Sequence, residues 1–81
     1  MNLAEKVSGL LGQKLTIEEL LKEFYGSLDG FKEAPIRHVG DLVKFQNVPV
    51  GIYLGNGLIL TAERDGVCTV PAFDGLTYWR R

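Results

Sequence analysis

The chain has 81 residues, a formal net charge of −1 and 46 % hydrophobic residues, with one cysteine and one histidine. This makes one domain at most, too apolar for disorder and without the bulk positive field that attracts nucleic acid. It also excludes an internal disulfide and a four-ligand zinc site built from Cys and His. No cofactor is implied.

A domain this short buries only about 60 % of the surface its unfolded chain exposes, so its stability rests on good packing or on a partner surface. Met1 to Leu11 contains Glu5 and Lys6 and lacks the uninterrupted apolar run of a signal peptide or membrane span. The expectation is a soluble chain made in the cytoplasm.

The first part, residues 1–35, reads as helical. Leu3, Val7, Leu10 and Leu11 fall on one helical stripe with Glu5 and Lys6 off it, and Gly12 is placed to end the helix. Thr16 followed by Glu19 is a capping-box signature, in which each side chain satisfies an amide at the helix start. Ile17, Leu20, Leu21 and Phe24 then form an apolar stripe, and Gly26 offers a stop. Helices of about ten residues do not hold alone, so both stripes need a surface to pack on. Ser27 to Pro35 reads as a connection.

Residues 36–81 read as a β meander. Asp41 to Gln46 sets Leu42 against Val43 and Phe45, and Pro49 to Gly55 sets Val50, Ile52 and Leu54 against Gly51, Tyr53 and Gly55. Asn56-Gly57 is a type I′ hairpin signal, leading into Leu58 to Ala62. Asp65-Gly66 marks a second tight turn before Val67 to Val70, and Thr77 to Arg80 forms a last strand. Gly51 and Gly55 suit a sharp bend or a close backbone approach. The expected fold is α+β: two short N-terminal helices packed on a small antiparallel sheet or barrel of about five strands.

Few residues offer chemistry. Cys68 and His38 are the pair to test for nucleophilic catalysis, yet no motif surrounds either, and Cys68 alternates within an apolar strand where a packed thiol is the common outcome. Asp41, Glu63, Asp65 and Asp74 are the carboxylates that could form a site, but Asp65 and Asp74 lie beside glycines as routine turn residues and Glu63 flanks a solvated hairpin tip, so no paired acid–base site is expected. The ending Thr77 to Arg81 sets two aromatics beside two arginines, a composition that anchors protein interfaces or stacks on bases. With too few other basic residues for nucleic acid, the candidate interface residues are Tyr53, Phe73, Tyr78, Trp79, Arg80 and Arg81.

Val39 to Ala62 (VGDLVKFQNVPVGIYLGNGLILTA) resembles the strand core of the NlpC-type papain-fold peptidases, which cleave peptides of bacterial cell walls. Gly40, Asp41, Leu42 and Val43 match a Gly-Asp-Leu-Val strand, and Val50 to Gly57 match the family's Val-Gly-Ile-Tyr-Leu-Gly strand and hairpin. The match covers roughly a third of the chain. The ending, with Asp65-Gly66, Val70-Pro71 and Tyr78-Trp79-Arg80, also resembles shortened members encoded among phage and prophage tail genes.

The family's nucleophile is a cysteine at a helix start before the Gly-Asp-Leu-Val strand, and no cysteine precedes Cys68. The histidine base that opens the second strand is Pro49 here, and the orienting residue falls at Thr61. The resemblance therefore implies a degenerate, non-catalytic domain, a minor component of a phage tail tip with other tail proteins as partners. It would reside in the virion after synthesis in the bacterial cytoplasm. Two alternatives stay open: a cell-wall hydrolase using Cys68 with His38, and a peptidoglycan-binding module that keeps the cleft around Pro49 and Thr61.

Overall fold

A computed structural model describes residues 2–81; Met1, the first residue of the segment read for a signal run, lies outside them. Two helices, α1 (Leu3–Leu10) and α2 (Ile17–Tyr25), accompany six strands: β1 (Lys32–Ala34), β2 (Leu42–Phe45), β3 (Val48–Gly55), β4 (Leu58–Glu63), β5 (Gly66–Pro71) and β6 (Leu76–Arg80). All six join one antiparallel sheet in the order β1-β6-β2-β3-β4-β5. The fold is α+β. Among the described residues, no helix is long and apolar enough to cross a membrane.

The expected helix signals act as local chemistry dictates. The Glu19 amide donates to Thr16 Oγ1 at 3.1 Å while Glu19 Oε1 accepts from the Thr16 amide at 2.9 Å, completing the capping box. Helix α1 has a cap that the periodicity did not announce, the Asn2 side chain accepting from the Glu5 amide at 2.9 Å. This helix stops at Leu10, so Leu11 leaves the apolar stripe and is exposed.

The strands form two apolar clusters. Leu42, Ile52, Leu60 and Val67 are buried with Leu10, Leu20 and Leu21 of the helices, with Trp79 and Phe31 against them. Val43, Tyr53 and Ile59 make a second cluster with Val70, Leu76 and Tyr78. The strand alternation thus loads both faces of the sheet, as period-two patterning requires.

Three expectations need correction. The sheet has six strands, because Lys32–Ala34, within the segment read as a connection, pairs with Tyr78–Arg80. This strand has no alternating pattern of its own and exists through its partner.

The sheet is also open rather than closed into a barrel. Strand β1 is three residues long and is followed by Pro35. On the far edge, Val67 exchanges backbone hydrogen bonds with the loop after α1, Gly12 N–H donating to Val67 O at 2.8 Å and Val67 N–H to Gln13 O at 2.8 Å. Pro71 ends that edge without an N–H, so neither margin offers a full row of groups to close on.

Finally, only β2 to β5 run as a meander. Strand β6 returns to the other side of β2 and is itself flanked by β1.

Val50 departs from the expected alternation. Val43 pairs with Gly51 and Lys44 with Pro49, leaving Val50 as the extra residue of a β-bulge packed with the Tyr53 cluster. The neighbouring Gly51 fulfils the expected close approach, since a Cβ there would lie 2.3 Å from Leu60 O. Asn56 and Gly57 both have positive φ, 53° and 73°, as the type I′ signal requires. The β4–β5 turn instead uses Arg64 and Asp65, with Gly66 already in β5 at φ +127°.

Candidate functional site

The sequence-level candidates separate in space. Tyr53 is buried, 5 % exposed, stacked edge-on to Tyr78 at 5.4 Å, and its hydroxyl accepts from the Gly57 amide at 3.1 Å. The Arg37 guanidinium covers both rings, 4.8 Å from the Tyr53 centroid. Trp79 is half-buried in the helix-side cluster; its indole N–H donates to Thr77 Oγ1 at 2.9 Å and Lys44 Nζ sits 3.9 Å above the ring. Phe73 is exposed, with its ring 5.4 Å from that of Phe45. The six residues therefore do not make one surface.

Both terminal arginines are engaged within the chain. Arg80 Nε and Nη2 each lie 3.0 Å from a carboxylate oxygen of Asp41, which is 3 % exposed and also accepts from the His38 amide at 2.8 Å. The same guanidinium reaches His38 Nδ1 at 3.0 Å and the Ile36 carbonyl. Arg81 donates to the carbonyls of Asp29, Tyr25 and Ser27 and lies over the Phe31 ring at 4.8 Å. It fastens residues 25–29 to the end of β6. Tyr25, whose hydroxyl donates to Gly40 O at 2.7 Å, has its phenol pushed well above the ordinary range by burial, with Asp41 adding to the rise and Arg81 opposing it.

Among the described residues, Cys68 and His38 are not joined as a catalytic pair. Cys68 lies on edge strand β5, while the polar neighbour of the His38 ring is Arg80 on β6, with β2, β3 and β4 between those strands. The Cys68 thiol is raised above its ordinary value, first by desolvation and then by Glu63, both of which favour the neutral form. Activation of a cysteine nucleophile requires the opposite shift. Thr61 commits its hydroxyl to the Val50 carbonyl at 2.7 Å. Among the described residues, no three or more His, Cys, Asp or Glu side chains are grouped to hold a metal ion.

What the chain does form is a groove of about 480 Å³ between α2, the loop after it and the start of β3. Ile17, Leu21, Leu28, Val48 and Pro49 give it an apolar lining, with Glu18, Lys22 and Asp29 also on its walls. The capping box sets where α2 begins, and the β2–β3 hairpin sets where Val48 and Pro49 stand. That hairpin turns on Gln46 and Asn47, both at positive φ (49° and 64°) without a glycine. Arg81 holds the third wall. The sequence carried one overlooked signal, Val48-Pro49 placed directly after a polar turn.

No family model matches the chain, and no curated protein or solved structure matches it.

Proposed function

We propose that this chain is a non-catalytic interaction domain on a degenerate NlpC-like frame, serving as a minor structural component of a phage tail tip. The observation that carries the non-catalytic reading is the composition of the groove. In the family that the sequence resembles, the nucleophile stands at a helix start and the base opens a strand. Here the groove is lined by Ile17 and Glu18 at the start of α2 and by Pro49 near the start of β3. A helix start and a strand opening face one cavity, and neither supplies a thiol or an imidazole. The third position, Thr61, has its hydroxyl spent on the backbone.

An interaction role is supported by the apolar side chains left in solvent. Val48 is 58 % exposed, Phe73 51 % and Ile36 68 %, on a chain whose small core gains stability from any partner that binds only the folded form. The tail-tip assignment rests on the resemblance of residues 39–62 and of the chain's ending to the shortened tail-encoded members.

Co-expression with the products of adjacent genes, followed by size-exclusion chromatography and cross-linking, tests the role. A stable complex with a neighbouring tail protein is expected. A chain that elutes alone and cross-links to none of those products contradicts it.

A further inference from the structure

We propose that Asn56 is a site of spontaneous modification, losing its side-chain amide to the backbone nitrogen of Gly57 at a rate set by the Tyr53 hydroxyl. The product is an aspartate or an isoaspartate in the β3–β4 turn.

The site follows from the sequence at the turn. The reaction starts when the nitrogen of the following residue attacks the asparagine Cγ, and a side chain on that residue obstructs the approach. Asn56 is the one asparagine followed by glycine; Asn2 precedes Leu3 and Asn47 precedes Val48. Asn56 is exposed, and the space beside Gly57 where a Cβ would stand is open, so water and hydroxide reach both partners. Asp29, Asp65 and Asp74 also precede glycines, but a carboxylate is a poorer electrophile than an amide.

The chemistry needs only the chain and water. Gly57 loses its amide proton, its nitrogen bonds to Asn56 Cγ, and the Cγ–Nδ2 bond breaks as Nδ2 leaves with a proton as ammonia. One water then opens the five-membered imide at either carbonyl. One opening yields aspartate; the other carries the backbone through the side chain as isoaspartate. Either product adds one negative charge to a chain of net charge −1. Isoaspartate also lengthens the main chain by a carbon, which a two-residue type I′ turn does not accommodate.

The rate follows from what holds Gly57. Its N–H donates to Tyr53 Oη at 3.1 Å, and its carbonyl accepts from the Ala72 amide at 2.7 Å. Tyr53 is buried and stacked on Tyr78, so its hydroxyl is a fixed acceptor. With Asn56 at φ 53° and Gly57 at φ 73°, the peptide between them keeps the turn's orientation while both bonds stand. Ring closure has to rotate that peptide until its nitrogen faces Asn56 Cγ. The reacting molecules are those in which the hairpin end has opened, a local event far smaller than global unfolding.

The test incubates the full chain at mildly alkaline pH beside a synthetic peptide of residues 53–60. Peptide mapping by mass spectrometry follows the asparagine, aspartate and isoaspartate forms at position 56. Position 56 should be modified ahead of Asn2 and Asn47, and about tenfold or more slowly in the chain than in the peptide. Tyr53→Phe keeps the ring and removes the acceptor; it should speed the reaction, and hydrogen exchange of the Gly57 amide with it, by about threefold or more. Ile52→Val, which trims the opposite face of the same strand, should leave the rate within about twofold of the parent.

Modification as fast in the chain as in the peptide overturns the proposal, as does an unchanged or slower rate in Tyr53→Phe. Equal acceleration by Ile52→Val also overturns it, because general stability rather than the hydroxyl would then set the rate. Modification at Asn2 or Asn47 ahead of position 56 removes the site itself.

Discussion

Arg80→Ala is expected to lower the unfolding free energy by about 3 kcal/mol. The Asp41 carboxylate is 3 % exposed, and Arg80 meets both of its oxygens at 3.0 Å. Removing one partner of a buried pair strands the other, at a cost of roughly 3–5 kcal/mol. Arg80 is itself about a third exposed (36 %), which puts this pair at the lower end of that range. The same change also frees the Ile36 carbonyl and the His38 ring, loosening the segment that leads into β2.

With a urea dependence near 1 kcal/mol per molar for a small domain, the unfolding midpoint should fall by about 3 M. The double variant Asp41→Leu with Arg80→Met should be more stable than Arg80→Ala alone, because it leaves no stranded charge. A loss under about 1 kcal/mol for Arg80→Ala, the level of an exposed pair, would contradict the assigned role.

Leu20→Ala carries the other large effect. Leu20 is fully buried and joins α2 to the cluster of Leu42, Ile52 and Leu60. Truncating a buried leucine loses both transfer free energy and packing around the cavity left behind, about 2–5 kcal/mol. Domains of this class are stable by only about 5–15 kcal/mol, and a short chain lies near the bottom, so denaturation curves should show a partly unfolded population at 37 °C. Leu11→Ala, on the exposed residue that belonged to the expected α1 stripe, should stay within about 0.5 kcal/mol. Similar losses for both would mean that α1 and α2 are not held as described.

These contrasts mark where the sequence was readable. The Thr16–Glu19 capping box, the Asn56-Gly57 turn and the two faces of β2 rest on neighbours a few residues apart, and all were legible. Leu11 was misread because a stripe counts periodicity and does not see where the helix stops. Strand β1 was invisible because Lys32–Ala34 holds its shape only against β6. The glycine-free Gln46–Asn47 turn and the bulge at Val50 depend on the register of β2 against β3, which single-strand patterning does not report.

The site was less legible than the fold. Asp41 and Arg80 meet across 39 residues, so the two were read separately, one as the opening residue of a strand and the other as an interface arginine. The groove gathers residues 17–29 with 48–49. Of its lining, Ile17 and Leu21 were read as part of the α2 stripe and Gly26 as its stop; only Pro49 was read as a site position, and that through the resemblance.

The most direct test of the non-catalytic proposal is the pH dependence of Cys68 alkylation, since the chain has no other thiol to serve as nucleophile. The rate of reaction with iodoacetamide follows the thiolate fraction. Desolvation and Glu63 hold Cys68 neutral, so its rate should rise with a midpoint above that of an ordinary thiol, near pH 8.5, and should lag a model thiol at pH 7. A midpoint below the ordinary value, with faster labelling at neutral pH, would contradict the proposal and return Cys68 to the role of a nucleophile.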